Sequence, residues 1–255
     1  MYPQKVTINS EHRYFHENGD EYIGFSKLYD NFMKEPFNVD LSAYGVAKSE
    51  GVTAQSVKDR WEEQRKEGVR IDDAIDYYSN TGLILPSNSD IADGVKEVLD
   101  VYSEYHKSHG QLVLYSEKYK VAGTCDRLSV ISNRKDCPII MSDFKCFEKE
   151  IEYMPKSKRF LNAPFNHFAN TKYTKIAFQL SFYSYLFEGL TGRVPIRQFI
   201  HWIDPRSMKK DENGKLNLKH KLIDVPYLKN DVILFLEIYK EKILSLTHPL
   251  TVDGF

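Results

Sequence analysis

The chain has 255 residues, 42% hydrophobic and 28% charged, with 35 Lys and Arg against 36 Asp and Glu. That length suits one large domain or two small ones with a real core, and the composition excludes a disordered tail. A net charge of -1 excludes a generally basic, histone-like protein, so any nucleic-acid surface must be a local patch.

The longest apolar runs, such as Val232 to Leu236, fall far short of the roughly 20 residues that cross a bilayer. The polar start Met1-Tyr2-Pro3-Gln4-Lys5 has no signal-peptide pattern. Three cysteines (Cys125, Cys137, Cys146) without Cys-x-x-Cys spacing argue against a disulfide framework or structural zinc. The expectation is a soluble protein of a reducing cytoplasm, the host's if the source is viral, with no membrane association.

In chain order, residues 1–110 read as mostly helical. Ile23 to Met33 has helical apolar spacing and is closed by Pro36. Asp40 can cap Leu41 to Glu50 with Gly51 as the stop, and Thr53 can cap a helix that Gly68 ends. Further helices are expected over Ile71 to Tyr78 and from Ile91 to Tyr105. At Gln111 the pattern turns to strands: Leu112 towards Val121, Gly123 to Ile131, and from Ile139, with short links that favour an antiparallel meander. An irregular segment from Glu148 leads to a helix over Tyr173 to Glu188. Phe199 to Ile203 is a strand, Asn213-Gly214 signals a hairpin into Leu216 to Val225, and Val232 to Leu246 is a closing helix. Without repeats or a low-complexity linker, 1–255 reads as one α/β domain, helical over 1–110 and with its core in 111–255.

The chemistry concentrates in Val121-Ala-Gly-Thr-Cys-Asp126 and Ile139-Ile-Met-Ser-Asp143-Phe-Lys145. Strand side chains alternate, so Asp143 and Lys145 project to one side. If the two strands pair, Asp126 comes near Asp143, and two such carboxylates repel unless a divalent cation neutralises them. Mg2+ takes hard oxygen ligands and suits two aspartates plus a phosphate. A lysine beside them can orient or deprotonate an attacking water and hold the scissile phosphate. Downstream, Gln179 and Tyr183 lie one helical turn apart on the same face.

In order and context, Ala122-Gly-Thr-Cys-Asp126, Asp143-Phe-Lys145 and Gln179-x-x-x-Tyr183 resemble the PD-(D/E)XK nuclease superfamily. Within it they are most similar to the RecB-like exonuclease branch, which includes phage and mitochondrial genome-maintenance exonucleases. The resemblance covers residues 111 to 190. It implies a restriction-endonuclease-like core, a mixed central sheet flanked by helices, and a metal-dependent DNA exonuclease of viral or bacterial replication, recombination or repair. Asp126 and Asp143 would be metal ligands with the backbone carbonyl of Phe144, and Lys145 the catalytic lysine. Gln179 and Tyr183 would support the site and contact DNA. Glu117 matches a glutamate often found before the Gly-x-x-Asp segment.

Relatives often carry Gly-x-x-apolar-His-x-x-x-Glu on a helix, with the His on metal. Here Gly68-Val-Arg-Ile-Asp72-Asp-Ala-Ile-Asp76 puts aspartate at both places. Asp72 is either a substitute ligand, which would favour Mg2+, with Mn2+ as an alternative, or an ordinary acid near a helix start. Three cysteines within the strand region imply no iron–sulfur cluster.

From Lys145 to Lys175, seven Lys or Arg outnumber three Glu and are interleaved with aromatics, including Phe147 and Tyr173. This pattern can hold a single strand by stacking and phosphate neutralisation, with Lys156, Lys158, Arg159, Lys172 and Lys175 as its contacts. The expected partner is DNA, single-stranded or end-containing, together with a replication or recombination protein. The alternatives are a structure-specific or restriction-type endonuclease on the same core, and a DNA-binding subunit whose nuclease site has decayed.

Overall fold

The computed structural model describes residues 4–105, 107–131, 137–151 and 159–247. The polar start holds three short strands: β1 (Val6–Ile8), β2 (Tyr14–His16) and β3 (Glu21–Gly24). Segments of three or four residues are too short to display an alternating pattern, which is why they do not stand out in the sequence. Helix α1 (Phe25–Phe32) follows β3 directly.

Helix α2 (Val39–Glu50) is capped by Asn38, whose side chain accepts from the Leu41 N–H at 2.9 Å. The expected cap, Asp40, instead sits in the first turn and pairs with Lys58. Gly51 ends α2 in the left-handed conformation (φ 70°). Thr53 caps α3 as expected, but α3 runs unbroken over Ala54–Thr81, through Gly68. An interior glycine costs only about 1 kcal/mol against alanine, and packing overrides it. Gly68 lies against Cys146, and the ion pairs Glu62–Arg65 and Glu67–Arg70 brace the turns on either side. Helix α4 (Ala92–Asp100) packs back on α3.

Strands β4 (Lys107–Ser116), β5 (Val121–Val130) and β6 (Ile139–Cys146) form the expected antiparallel meander. Helix α5 (Lys172–Thr191), capped by Thr171, then crosses over to β7 (Arg197–Ile203), which pairs parallel with β6. Strand β8 (His220–Val225) closes that edge antiparallel. The closing helix is two, α6 (Lys229–Ile238) and α7 (Lys240–Thr247), divided at Tyr239.

Among the described residues the fold is therefore a mixed α/β sheet of eight strands in the order β1-β2-β3-β5-β6-β7-β8, with β4 also paired to β5. Helices α3 and α4 cover one face through Ile71, Ile75, Val95 and Val98 against Ile140, Phe144 and Phe199. Helices α1, α5 and α6 cover the other through Leu28, Phe178, Phe182 and Phe235 against Val121, Ile139, Met141 and Ile200. Helix α2 stands apart, packed on the start of α3 by Ala43, Ala47 and Val57 with Trp61 against them.

One edge of β5 is shared. Parallel β3 occupies it at Val121 and Ala122, and antiparallel β6 from Arg127 to Val130. Residues 123 to 126 lie in the fork between these partners.

Candidate active site

The β5–β6 ladder stops at Arg127↔Ser142. In register, the next pair is Asp126 with Asp143. There the strands part, and the Phe144 N–H donates to Asp126 Oδ2 at 2.9 Å. Across β5 the β4 ladder skips the residue opposite Asp126, Gln111, whose backbone is left-handed (φ 47°). The sheet is thus distorted on both sides of Asp126, which frees the carboxylate from the regular pleat.

Asp143 and Lys145 share a side, as alternation requires. The Lys145 ammonium forms an ion pair with Asp143 and lies 3.9 Å from Asp126 Oδ2. Asp143 is 0% exposed, and neither of its carboxylate oxygens has a hydrogen-bond partner of good geometry. Burying such a group is expensive unless something compensates it.

Burial, then the charge of Asp143, pushes Asp126 well above the usual carboxylate range. Burial alone would lower Lys145, but Asp143 and Asp126 outweigh it and raise it, so this lysine stays protonated. Asp72 of α3 joins the group: burial raises it to about 6, Lys145 pulls it down and Asp143 pushes it up. Asp76, one turn on, accepts from Asn80 at 3.0 Å and lies against Gly110.

The titration of Asp72 fixes a sign. A carboxyl whose folded pKa is raised contributes stability below its unfolded pKa and loses it as pH rises through the folded value. Asp72→Asn should therefore raise the melting temperature above pH 6, with the gain fading as pH falls towards about 4. A gain independent of pH would separate Asp72 from the cluster. In Mg2+ titrations, a ligand role for Asp72 predicts that the same variant needs more cation for half-maximal activity.

Gln179 and Tyr183 brace the fork. The Gln179 amide donates to the Tyr183 hydroxyl at 2.8 Å, and a Cβ on Gly123 would run into the Tyr183 ring. The glycine three residues before Asp126 is thus the seat of an α5 side chain. Gly123→Ala should cost about 1–3 kcal/mol by overpacking, measurable by denaturant unfolding. Tyr183 is buried, which makes it a support of β5 rather than an exposed contact; Gln179 is half-buried.

The remaining predicted residues are dispersed. β4 ends at Ser116, so Glu117 is not on the strand but in the turn after it, where it is half-exposed and paired with Lys5 at 2.8 Å. Val121 to Asp126 spans five residues of strand, about 17 Å, so Glu117 is not brought to the aspartates. Lys172 lies over the Phe147 ring at 3.8 Å, whereas Lys175 pairs with Asp30 of α1 at 3.4 Å. Arg159 is exposed; Lys156 and Lys158 lie outside the described residues. Basic side chains flanking the Asn213-Gly214 turn are paired with acids: Lys209 with Asp90, Lys210 with Asp93, Arg206 with Asp204, Lys221 with Glu150.

Asp72, Phe144 and Lys145 form part of the wall of a cleft of about 860 Å³. Its other walls come from α2, α3 and the segment after β6, including Arg60, Trp61, Arg65 and Phe147. Of the α3 residues in this wall only Asp72 stands out in the sequence; for Arg60, Trp61 and Arg65 the available signal is a lone tryptophan on an otherwise polar helix turn.

The donor set fits a hard divalent cation. Asp126 and Asp143 stand together at the fork, Asp72 feels the charge of Asp143 from α3, and Asp143 Oδ1 has no hydrogen-bond partner among the described residues. Among the described residues no three His, Cys, Asp or Glu side chains already stand close enough to hold a metal ion, so the arrangement is not a finished cage. No helix among the described residues is long and apolar enough to cross a membrane.

No protein-family model matches this chain, and no curated protein matches it. Among solved structures it is similar to one described as "Putative exonuclease" from Eubacterium rectale, at 12% identity and TM-score 0.47, covering 89% of this chain and 81% of that one. It is also similar to the crystal structure of SSO0001, at 16% identity and TM-score 0.30, covering 64% and 62%. Superpositions this loose carry no argument about chemistry, which rests on the geometry of the fork.

Proposed function

We propose that this chain is a metal-dependent DNA exonuclease of the PD-(D/E)XK type, hydrolysing phosphodiester bonds by attack of water. The observation that carries the reading is the fully buried Asp143 carboxylate, its charge met among the described residues by the Lys145 ammonium alone, set beside Asp126 where two strands part. Structural roles do not require such a concentration of like charge, since acids within a few ångströms repel.

Asp126 and Asp143, with Asp72 and the Phe144 carbonyl, would hold Mg2+ or Mn2+. When bound, the cation would lower the pKa of a water and stabilise charge on the phosphate. The chain's own groups do the rest. The Phe144 N–H fixes the orientation of Asp126. Lys145, kept protonated by its neighbours, acts as a cation on a non-bridging phosphate oxygen or orients the water. Gln179 and Tyr183 hold β5 in register behind the site.

An exonuclease requires an end. With Mg2+, linear DNA should be digested and covalently closed circles of the same sequence left intact. Nicking or linearisation of the circles would assign the site to an endonuclease.

A further inference from the structure

The cleft beside the aspartates has a wall that the fold alone does not explain. Trp61 is half-buried, with one part against the small α2–α3 cluster and the rest on the cleft. Phe37 is 57% exposed and lines the same space, and Phe147 faces it from the segment after β6. Basic groups stand among these rings. Arg65 reaches the cleft from α3, held at 2.8 Å by Glu62. Lys149 and Lys172 also line it and make no ion pair with any described residue.

We infer that this wall is a track for an unpaired DNA strand. Trp61, with Phe37, stacks bases, while Arg65, Lys149 and Lys172, the last seated over the Phe147 ring, take phosphates and lead the strand to Lys145. The inference rests on the nuclease reading and deepens it by naming the substrate form. Aromatic faces need exposed base faces, which a single strand offers and an intact duplex covers with its own stacking. The track shares Phe147, Lys149 and Lys172 with the one expected along Lys145 to Lys175, and adds Phe37 and the α3 residues Trp61 and Arg65, far upstream in sequence. Lys175, paired with Asp30, does not line the cleft.

The test uses the full chain carrying Asp143→Asn, so that substrate survives, with oligothymidylate and a blunt duplex as probes. Protein fluorescence should be quenched by oligothymidylate, and the quenching should be absent in Trp61→Phe, because the other tryptophan, Trp202, is buried. Stacking on one side chain predicts that Trp61→Leu weakens single-strand binding by about tenfold or more, with duplex binding little changed. Trp61→Phe should restore most of the affinity.

Because Trp61→Leu could loosen the α2–α3 cluster, Arg65→Ala with Lys149→Ala provides a second arm at exposed positions. Each lost phosphate contact should flatten the log–log salt dependence of single-strand binding by up to about 0.7. Wild-type single-strand affinity in Trp61→Leu, or equal weakening on duplex, would overturn the track. That failure is separable from failure of the nuclease reading. If cleavage depends on Asp143 but Trp61→Leu digests single strands normally, only the track falls. If no variant of the fork alters cleavage while Trp61 behaves as stated, the nuclease site falls and the strand-binding surface stands.

Discussion

Replacing Lys145 by methionine is expected to destabilise the protein at neutral pH by about 3–5 kcal/mol, the usual cost of removing one partner from a buried ion pair. The reason is the imbalance around it. One ammonium serves Asp143, whose carboxylate is fully buried, and also acts on Asp126 and Asp72. Methionine keeps most of the volume and leaves three carboxylates facing one another. Protonation of Asp126 and Asp72 then becomes the remaining relief. Carboxyls with raised folded pKa values favour the folded state as pH falls, so the deficit against wild type should shrink between pH 7.5 and pH 5. Urea unfolding at both values checks this. Cleavage should be lost at either pH, because the cation that meets the phosphate is gone. A Lys145→Met protein as stable as wild type at pH 7.5 would mean that the fork is not electrostatically strained.

Asp143→Asn should behave in the opposite way. Asparagine is nearly isosteric and removes one of the clustered negative charges, so the melting temperature should be unchanged or raised. Cleavage should fall by on the order of a thousandfold or more, since loss of a cation ligand forfeits several kcal/mol of transition-state stabilisation and each 1.36 kcal/mol is tenfold. For Asp126 the cleaner variant is also Asn. Asp126→Ala would strip the Phe144 N–H of its acceptor, and a buried unsatisfied donor costs about 1–3 kcal/mol on its own. Differential scanning calorimetry beside a digestion assay separates the two effects: stability retained with activity lost is the expected pair.

Much of this site was legible from local rules. Alternation placed Asp143 and Lys145 together, and the short link from β5 to β6 brought Asp126 opposite Asp143. The helix cap at Thr53 and the stop at Gly51 followed from local residue chemistry. What escaped depends on contacts distant in sequence. Gly68 looks like a helix stop until Cys146 is seen against it, and Gly123 looks like an ordinary strand residue until Tyr183 covers it. Strands β1 to β3 gain their partners from one another and from β5, with too few residues to announce themselves. Glu117 matched a pattern in the sequence, but a turn carried it to the far end of the strand. Trp61 acquires meaning only once α3 is laid beside the end of β6.

The central claim is that Asp126, Asp143 and Lys145 form a cation-dependent phosphodiester-cleaving site. The most direct measurement is digestion of end-labelled linear DNA, single- and double-stranded, by wild type and Asp143→Asn across a Mg2+ titration, with EDTA as the zero point. Wild type should release nucleotides increasingly with Mg2+ and none in EDTA, and folded Asp143→Asn should release none at any Mg2+ concentration. Wild-type rates from Asp143→Asn, or digestion that persists in EDTA, would contradict it.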